Sequence, residues 1–352
     1  MKILIMGGTG AIGSSLVKIL SICNDVFVTS RYFHKNDHNI SYIQGDAKDE
    51  NFLDSILEQH FDVIVDFMVY RTVEFEYRMK KLLDNSKQYV FISSSRCYAN
   101  SDNPIVESSD RLLDVVEDDE YLQTDDYALA KAREEDLLRN SGNKNWTIIR
   151  PYITYNAHRL QLGCYEKEYW LYRVLQNKTL VIPEDIADSV TTITFGQDVA
   201  NCIAKLIGNN KALGECFTVA TQESHTWREI QEIYFDIIEK KMGRRPKVIY
   251  IKDSNSLYGV CDECQIKYDR VYNRQFNIQK LNEIIGKYDF QATRKGIERC
   301  INDFIDNPSW GRISSKYEAW ADRRTKEYTK LSIFKELREK LRYIKWRFVK
   351  QP

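Results

Sequence analysis

The first twenty residues, MKILIMGGTGAIGSSLVKIL, constrain this chain more than any other stretch. Ile3 to Met6, after Lys2, form a short apolar run of the kind buried on both faces of a parallel sheet. A glycine turn follows. Beyond it Ile12, Leu16, Ile19 and Leu20 fall on one side of a helix. Gly7, Gly10 and Gly13 have GxxGxxG spacing. One glycine permits the tight turn, one lets backbone approach a pyrophosphate, and one lets the helix pack closely on the sheet. The helix N-terminus adds N–H donors and a positive dipole end. A turn that only packs the helix would use the same residues. Placement at a strand-to-helix junction favours a dinucleotide site.

Apolar runs then alternate with helical patterns. DVFVTS (25–30), ISYIQGD (40–46), FDVIVDF (61–67), QYVFISS (88–94) and WTIIRP (146–151) read as strands. Residues 49–58, 72–85 and 124–140 read as helices between them. The alternation predicts an α/β, Rossmann-type doubly wound parallel sheet over 1–155, with helices on both faces. The acidic, poorly periodic segment 100–123 reads as a loop or flap. After residue 155 the rhythm loosens. Short strands are expected at 180–182, 189–195, 216–220 and 247–251, and helices at 197–208, 226–241, 277–286 and 292–306. Residues 156–308 read as a smaller mixed α/β substrate domain, with 189–220 returning to the first.

The end of the chain, 309–352, differs. Arg323 to Lys350 holds eleven Lys or Arg against three Glu. Ile333, Leu337, Leu341, Ile344 and Phe348 recur at helical spacing. This predicts a basic amphipathic helix suited to the surface of an anionic membrane, or else to packing on the body or on a second subunit.

Composition excludes some classes. In 352 residues, 51 basic side chains balance 51 acidic ones, so no global basicity points to nucleic acid. No apolar run is long enough to span a bilayer, and the first residues read as a strand rather than a leader. Eight scattered cysteines suit a reducing, cytoplasmic setting. Cys261 and Cys264 form a lone CxxC with no second pair, so no metal site is expected.

Tyr127 and Lys131, in YALAK, share one helix face. An ammonium beside a phenol favours the phenolate, which can take a proton from a sugar hydroxyl while hydride leaves the same carbon. Tyr77 and Lys81 have the same spacing, but they lie before the SSSRCYAN strand end (93–100) and read as a surface pair. A serine at the carboxyl end of a parallel strand faces the crevice where cofactor and substrate meet. At the end of the second strand stand Ser30 and Arg31, with no carboxylate. Arginine there suits the 2′-phosphate of NADP, although it could stack on adenine in an NAD enzyme. Arg159, Arg270 and Arg274 are candidates for a substrate diphosphate.

Together GGTGAIG (7–13), GDAKD (45–49), FISSSRCYA (91–99), YALAK, RPYITY (150–155) and FGQDVA (195–200) make the chain resemble the extended short-chain dehydrogenase/reductases. These are the sugar-nucleotide epimerases, dehydratases and ketoreductases. The resemblance implies Ser94, Tyr127 and Lys131 as the catalytic trio, Ser94 lying four residues before Tyr98. It implies cofactor contacts from Gly7, Thr9, Gly10, Ala11, Ile12 and Gly13, from Asp46 and Ala47 near the adenine, from Phe67 and Met68 after the fourth strand, and from Pro151. It also implies a homodimer through helices that include the YALAK helix. Ser95, Arg96 and Tyr152 join the three arginines as candidate substrate contacts. Dehydratases of this family carry an Asp–Glu pair where Ser95 and Arg96 stand here, which disfavours dehydration. Ile153 and Asn156 replace the usual asparagine and glycine of the RPxNxYG segment, and VDFMVY (65–70) lacks the common alanine-rich ending. The branch is therefore divergent.

The leading expectation is an NAD(P)-dependent nucleotide-sugar epimerase working through a transient keto-sugar, with Tyr127 as acid and base. The alternatives are an NADPH-dependent keto-sugar reductase, acting on a nucleotide-linked or lipid-linked sugar, and a non-catalytic dinucleotide sensor or scaffold. Arg31 leans the cofactor towards NADP. Peripheral membrane contact at the inner surface would come through the tail.

Overall fold

Short apolar strands each followed by a helix can only be joined in parallel through crossovers. The structure, a computed structural model, describes residues 1–349. It divides into two compact units. The first comprises Met1–Thr154, Thr192–Gln222 and Gln275–Gln291. Its elements are β1 (Lys2–Met6), α1 (Gly13–Leu20), β2 (Asp25–Ser30), β3 (Ile40–Gln44), α2 (Glu50–Leu57), β4 (Phe61–Asp66), α3 (Thr72–Asp84), β5 (Ser86–Ile92), α4 (Tyr127–Asn140), β6 (Trp146–Pro151), α5 (Gly196–Leu206) and β7 (Glu215–Val219). The seven strands form one sheet in the order β7-β6-β5-β4-β1-β2-β3. Every pairing is parallel. Strand order reverses between β1 and β4, and a crevice opens at the carboxyl ends of the strands at such a point.

Alternate strand residues feed two apolar layers. Ile3, Ile5, Val26, Val28, Val63, Val65 and Val90 face α1 and α5, with Leu16, Leu20, Ile203 and Leu206. Leu4, Met6, Ile64, Tyr89 and Phe91 face the layer that holds Leu53, Phe75, Leu82 and Leu138. The segment expected as a loop or flap, 100–123, contains two single helical turns, Leu112–Val115 and Asp119–Leu122. Asp118 caps the second by accepting from Tyr121 N at 3.0 Å.

The second unit comprises Tyr155–Thr191, Glu223–Arg274 and the chain from Ala292 onward. Leu180–Pro183 pairs in parallel with Val248–Ile251. Around this pair lie helices Trp170–Leu175, Trp227–Met242, Thr293–Asp306 and Ser315–Thr325. Trp170 packs on Tyr234 at 4.5 Å between ring centres, the rings tilted by 45°. Arg173, fully buried, donates to Glu318 at 3.0 Å and Asp322 at 2.8 Å. That pairing fixes Ser315–Thr325 to the unit. The expected strand 189–195 is two short pieces, Val190–Thr191 and Thr194–Phe195, because the chain passes from one unit to the other between them. All eight cysteines are free thiols. Among the described residues no helix is long and apolar enough to cross a membrane.

Candidate active site

The glycine turn after β1 builds the first wall. Gly7 adopts φ 71°, open to glycine at no steric cost, and a Cβ there would stand 3.1 Å from Met68 Sδ. A Cβ on Gly13 would lie 2.7 Å from the backbone of Gly8, so α1 seats against the turn only with glycine there. Gly10 faces open space. Thr9 is exposed, Ala11 is half-buried, and Ile12 packs into the core. Among the described residues no side chain caps the N-terminus of α1, and no acid lies in its first turn, which leaves the positive dipole end for an anion.

Beside this turn a cleft of about 350 Å³ is lined by Gly7, Thr9, Ser30, Arg31, Asp46, Ala47 and Met68. Thr29, Tyr32, Gly45, Lys48 and Val69 complete it, and sequence reasoning did not foresee them. Ser30 Oγ accepts from Tyr32 N at 3.2 Å and lies 3.1 Å from His34 Nε2. Arg31 is exposed and forms no ion pair among the described residues. Asp46 accepts from Lys48 N at 2.9 Å. Arg78, buried on α3, donates to the carbonyls of Ala47 at 3.1 Å and Lys48 at 2.8 Å while pairing with Glu50. It therefore holds the cleft floor in place. Phe67 continues from β4, its N donating to Met6 O at 3.0 Å, and packs beside Gly7.

The chemistry-bearing side chains lie along the same sheet edge. Ser94 follows β5 and caps the short turn Ser95–Cys97, its hydroxyl accepting from Arg96 N at 3.2 Å. Tyr127 is the first residue of α4, which Asp126 caps through Ala128 N. The Arg96 guanidinium lies 5.3 Å from the centre of the Tyr127 ring, so the turn bearing Ser94 meets the start of α4. One helical turn on, buried Lys131 crosses the Phe91 ring at 4.3 Å and donates to Met68 O at 3.3 Å. Met68 thus lines the cleft with its side chain and receives Lys131 on its carbonyl.

A polar network behind Lys131 was not legible in advance. Asp66, at the end of β4, is fully buried and accepts from Met68 N at 2.9 Å, Tyr70 Oη at 3.0 Å and Tyr89 Oη at 2.8 Å. Burial raises its carboxyl above the usual carboxylate range despite these donors and Lys131. The adjacent pair Glu134 and Glu135 diverges. Burial pushes Glu134 up to about 7, with Lys131 offsetting part of the effect. Burial also opposes the charge on Glu135, but Arg150 and Ser93 outweigh it and hold that carboxyl low. The one sequence signal was a carboxylate inside apolar surroundings, as in VIVDF.

Ser95 is fully buried, its hydroxyl donating to Arg150 O at 2.9 Å. Tyr152 is buried against Phe276. Next to it Ile153 holds φ 23°, a conformation a β-branched side chain rarely adopts. Pro151 ends β6 opposite Val219. In the second unit Arg159 pairs with Glu166 at 3.3 Å near the surface. Arg270 and Arg274 are buried there around Asp269, and Arg274 also donates to Tyr268 O at 3.2 Å. Tyr77 is exposed and Lys81 pairs with Asp54 at 2.7 Å and Glu50 at 3.1 Å, on the outer face of α3.

With this geometry in view, residues 1–304 match the family model described as the RmlD substrate binding domain. The chain belongs to that family. The RmlD-type match spans most of both units and ends before Ser315–Thr325, and the chain is a divergent member of the extended short-chain dehydrogenase/reductases. No curated protein sequence matches it. Among solved structures, the UDP-N-acetylglucosamine 4-epimerase of Methanobrevibacter ruminantium is similar, with TM-score 0.68 and 19% identity over 87% of this chain and 98% of that one. The dTDP-glucose 4,6-dehydratase of Bacillus anthracis gives TM-score 0.68 at 16% identity, covering 88% and 98%. The UDP-glucuronic acid 4-epimerase of Bacillus cereus gives 0.66 at 16%, covering 87% and 99%. At these identities the likeness establishes the shared fold.

Proposed function

We propose that this RmlD-type chain is a nicotinamide-dinucleotide enzyme that moves hydride to or from a carbon of a nucleotide-linked sugar. The observation that carries the reading is the double use of Met68, which joins the cleft beside the glycine turn to Lys131. The residues fit such a cofactor: Gly10 leaves room where a pyrophosphate would approach, and α1 presents an uncapped N-terminus. Bound there, a nicotinamide dinucleotide supplies or accepts the hydride. Tyr127 takes the proton from the sugar hydroxyl as the carbinol C–H is lost and returns it in the reverse direction. Lys131 supports the tyrosinate electrostatically. Ser94 holds the substrate oxygen. Ser95 and Arg96 replace a carboxylate pair, which argues against loss of water.

Epimerisation is the favoured outcome: the keto-sugar is reduced again on its other face and the cofactor is regenerated. The M. ruminantium and B. cereus structures, both named epimerases, support it. One observation favours a keto-sugar reductase instead. Arg31 stands in the cleft without an acidic partner among the described residues, in a position to meet the 2′-phosphate of NADP. Absorbance at 340 nm with uridine- and thymidine-diphosphate hexoses and their 4-keto forms separates the two. An epimerase converts one sugar to its epimer with no net change. Stoichiometric loss of NADPH with a single reduced product overturns epimerisation and establishes the reductase.

A further inference from the structure

The expected continuous helix over the chain end is instead a single turn, Leu331–Ile333, followed by Leu337–Ile344 and a wider turn, Lys345–Val349. Lys350, counted in the basic surplus, lies outside the described residues. The helix carries two apolar faces. One is used: Tyr343 and Phe334 are buried with Ala319, and Trp346 packs beside them. Tyr343 Oη also donates to Asp322 at 2.7 Å, and Thr329 N donates back to Tyr343 Oη at 2.9 Å. The opposite face is open to solvent among the described residues. Leu337 is 71% exposed, Leu341 58%, Ile344 39% and Phe348 61%. Their i, i+4, i+7, i+11 spacing sets them in one stripe.

At helical spacing Arg338, Arg342 and Lys345 border this stripe on one side and Lys340 and Arg347 on the other. Among the described residues Arg338, Lys340, Arg342 and Lys345 form no ion pair. The one acid within the helix, Glu339, is turned to the buried side and bonded to Arg312 at 2.5 Å.

We infer that this stripe docks on an anionic phospholipid surface, with Leu337, Leu341 and Phe348 entering the acyl boundary and the flanking cations meeting lipid phosphates. The helix is already anchored through Tyr343 and Phe334, so the stripe is not the face that packs on the body. A second copy seated on it would bring basic borders against basic borders, which opposes such a dimer. A lipid surface matches an apolar centre with cationic edges.

Flotation of the full chain with vesicles of phosphatidylglycerol and phosphatidylcholine, against phosphatidylcholine alone, tests this. The expected result is at least tenfold greater partition onto the anionic vesicles, reduced by salt. The pair Leu337→Glu and Leu341→Glu should abolish it while melting temperature stays put, because both side chains lie in solvent. Lys340→Gln with Lys345→Gln should weaken it several-fold. Equal partition of the parent and the leucine variant overturns the inference. So does a parent that ignores anionic vesicles but dimerises through the stripe.

Discussion

Lys131 Nζ stands 3.0 Å from Glu134 Oε2, and both side chains are closed off from solvent. The pair sits one turn along α4 from Tyr127. Among the described residues Lys131 is the cation paired with Glu134, and its charge only partly offsets the burial of that carboxyl. Burial therefore pushes its carboxyl from 4.5 up to about 7.

That shift makes stability pH-dependent. In the unfolded chain Glu134 ionises around its ordinary value, whereas the folded protein keeps the proton until about 7. The folded state binds more protons in this window, so stability falls as pH rises through it. One pKa unit is about 1.4 kcal/mol, so the loss is on the order of 3 kcal/mol. Glu134→Gln removes it. Denaturant unfolding at pH 5 and pH 8 should show the variant gaining on the parent at the higher pH. Parallel behaviour at both would rule this out.

Gly10 and Gly13 separate affinity from folding. Gly13→Ala forces a Cβ to within 2.7 Å of Gly8 backbone and should destabilise the protein by about 1–3 kcal/mol. Gly10→Ala meets nothing within 4 Å and should leave melting unchanged. It should nonetheless weaken dinucleotide binding by at least about tenfold, because its Cβ enters the space left for the pyrophosphate. Calorimetric titration and thermal melting of both variants check the contrast.

Arg31 should set cofactor choice. Arg31→Asp removes a partner for a 2′-phosphate and offers a carboxylate to ribose hydroxyls. The ratio of NADPH to NADH affinity should drop by about ten- to a hundredfold. Fluorescence titration with each reduced cofactor measures it. An unchanged ratio would remove Arg31 from cofactor selection.

Much of the first unit was legible. Its strands are short apolar runs between turns, and a parallel sheet leaves such runs little else to do. Gly7 and Gly13 were legible because steric need is local. Arg78 was not. It sits beside Tyr77 in a charged helix, and only packing of α3 against the 46–48 loop turns it inward. Arg270 and Arg274 show the same limit, since charge and spacing do not reveal that Asp269 draws them into the interior. In the tail, periodicity gave the apolar positions but not which of them Phe334 and Tyr343 had already relieved of the packing role.

The central claim is that Tyr127, beside Lys131, moves the proton while hydride passes between a sugar carbon and a nicotinamide. Lys131→Met is a poor probe, because it strands Glu134 as an uncompensated buried carboxyl. Tyr127→Phe is better, since Tyr127 is only half-buried. The direct measurement is deuterium transfer, read by mass spectrometry, from nucleotide hexoses labelled at the carbinol carbon into the nicotinamide. The parent should transfer label, and Tyr127→Phe should slow transfer by about 10²–10⁴-fold while still binding the dinucleotide. Label that never reaches the cofactor, or that reaches it equally fast in Tyr127→Phe, would contradict the account.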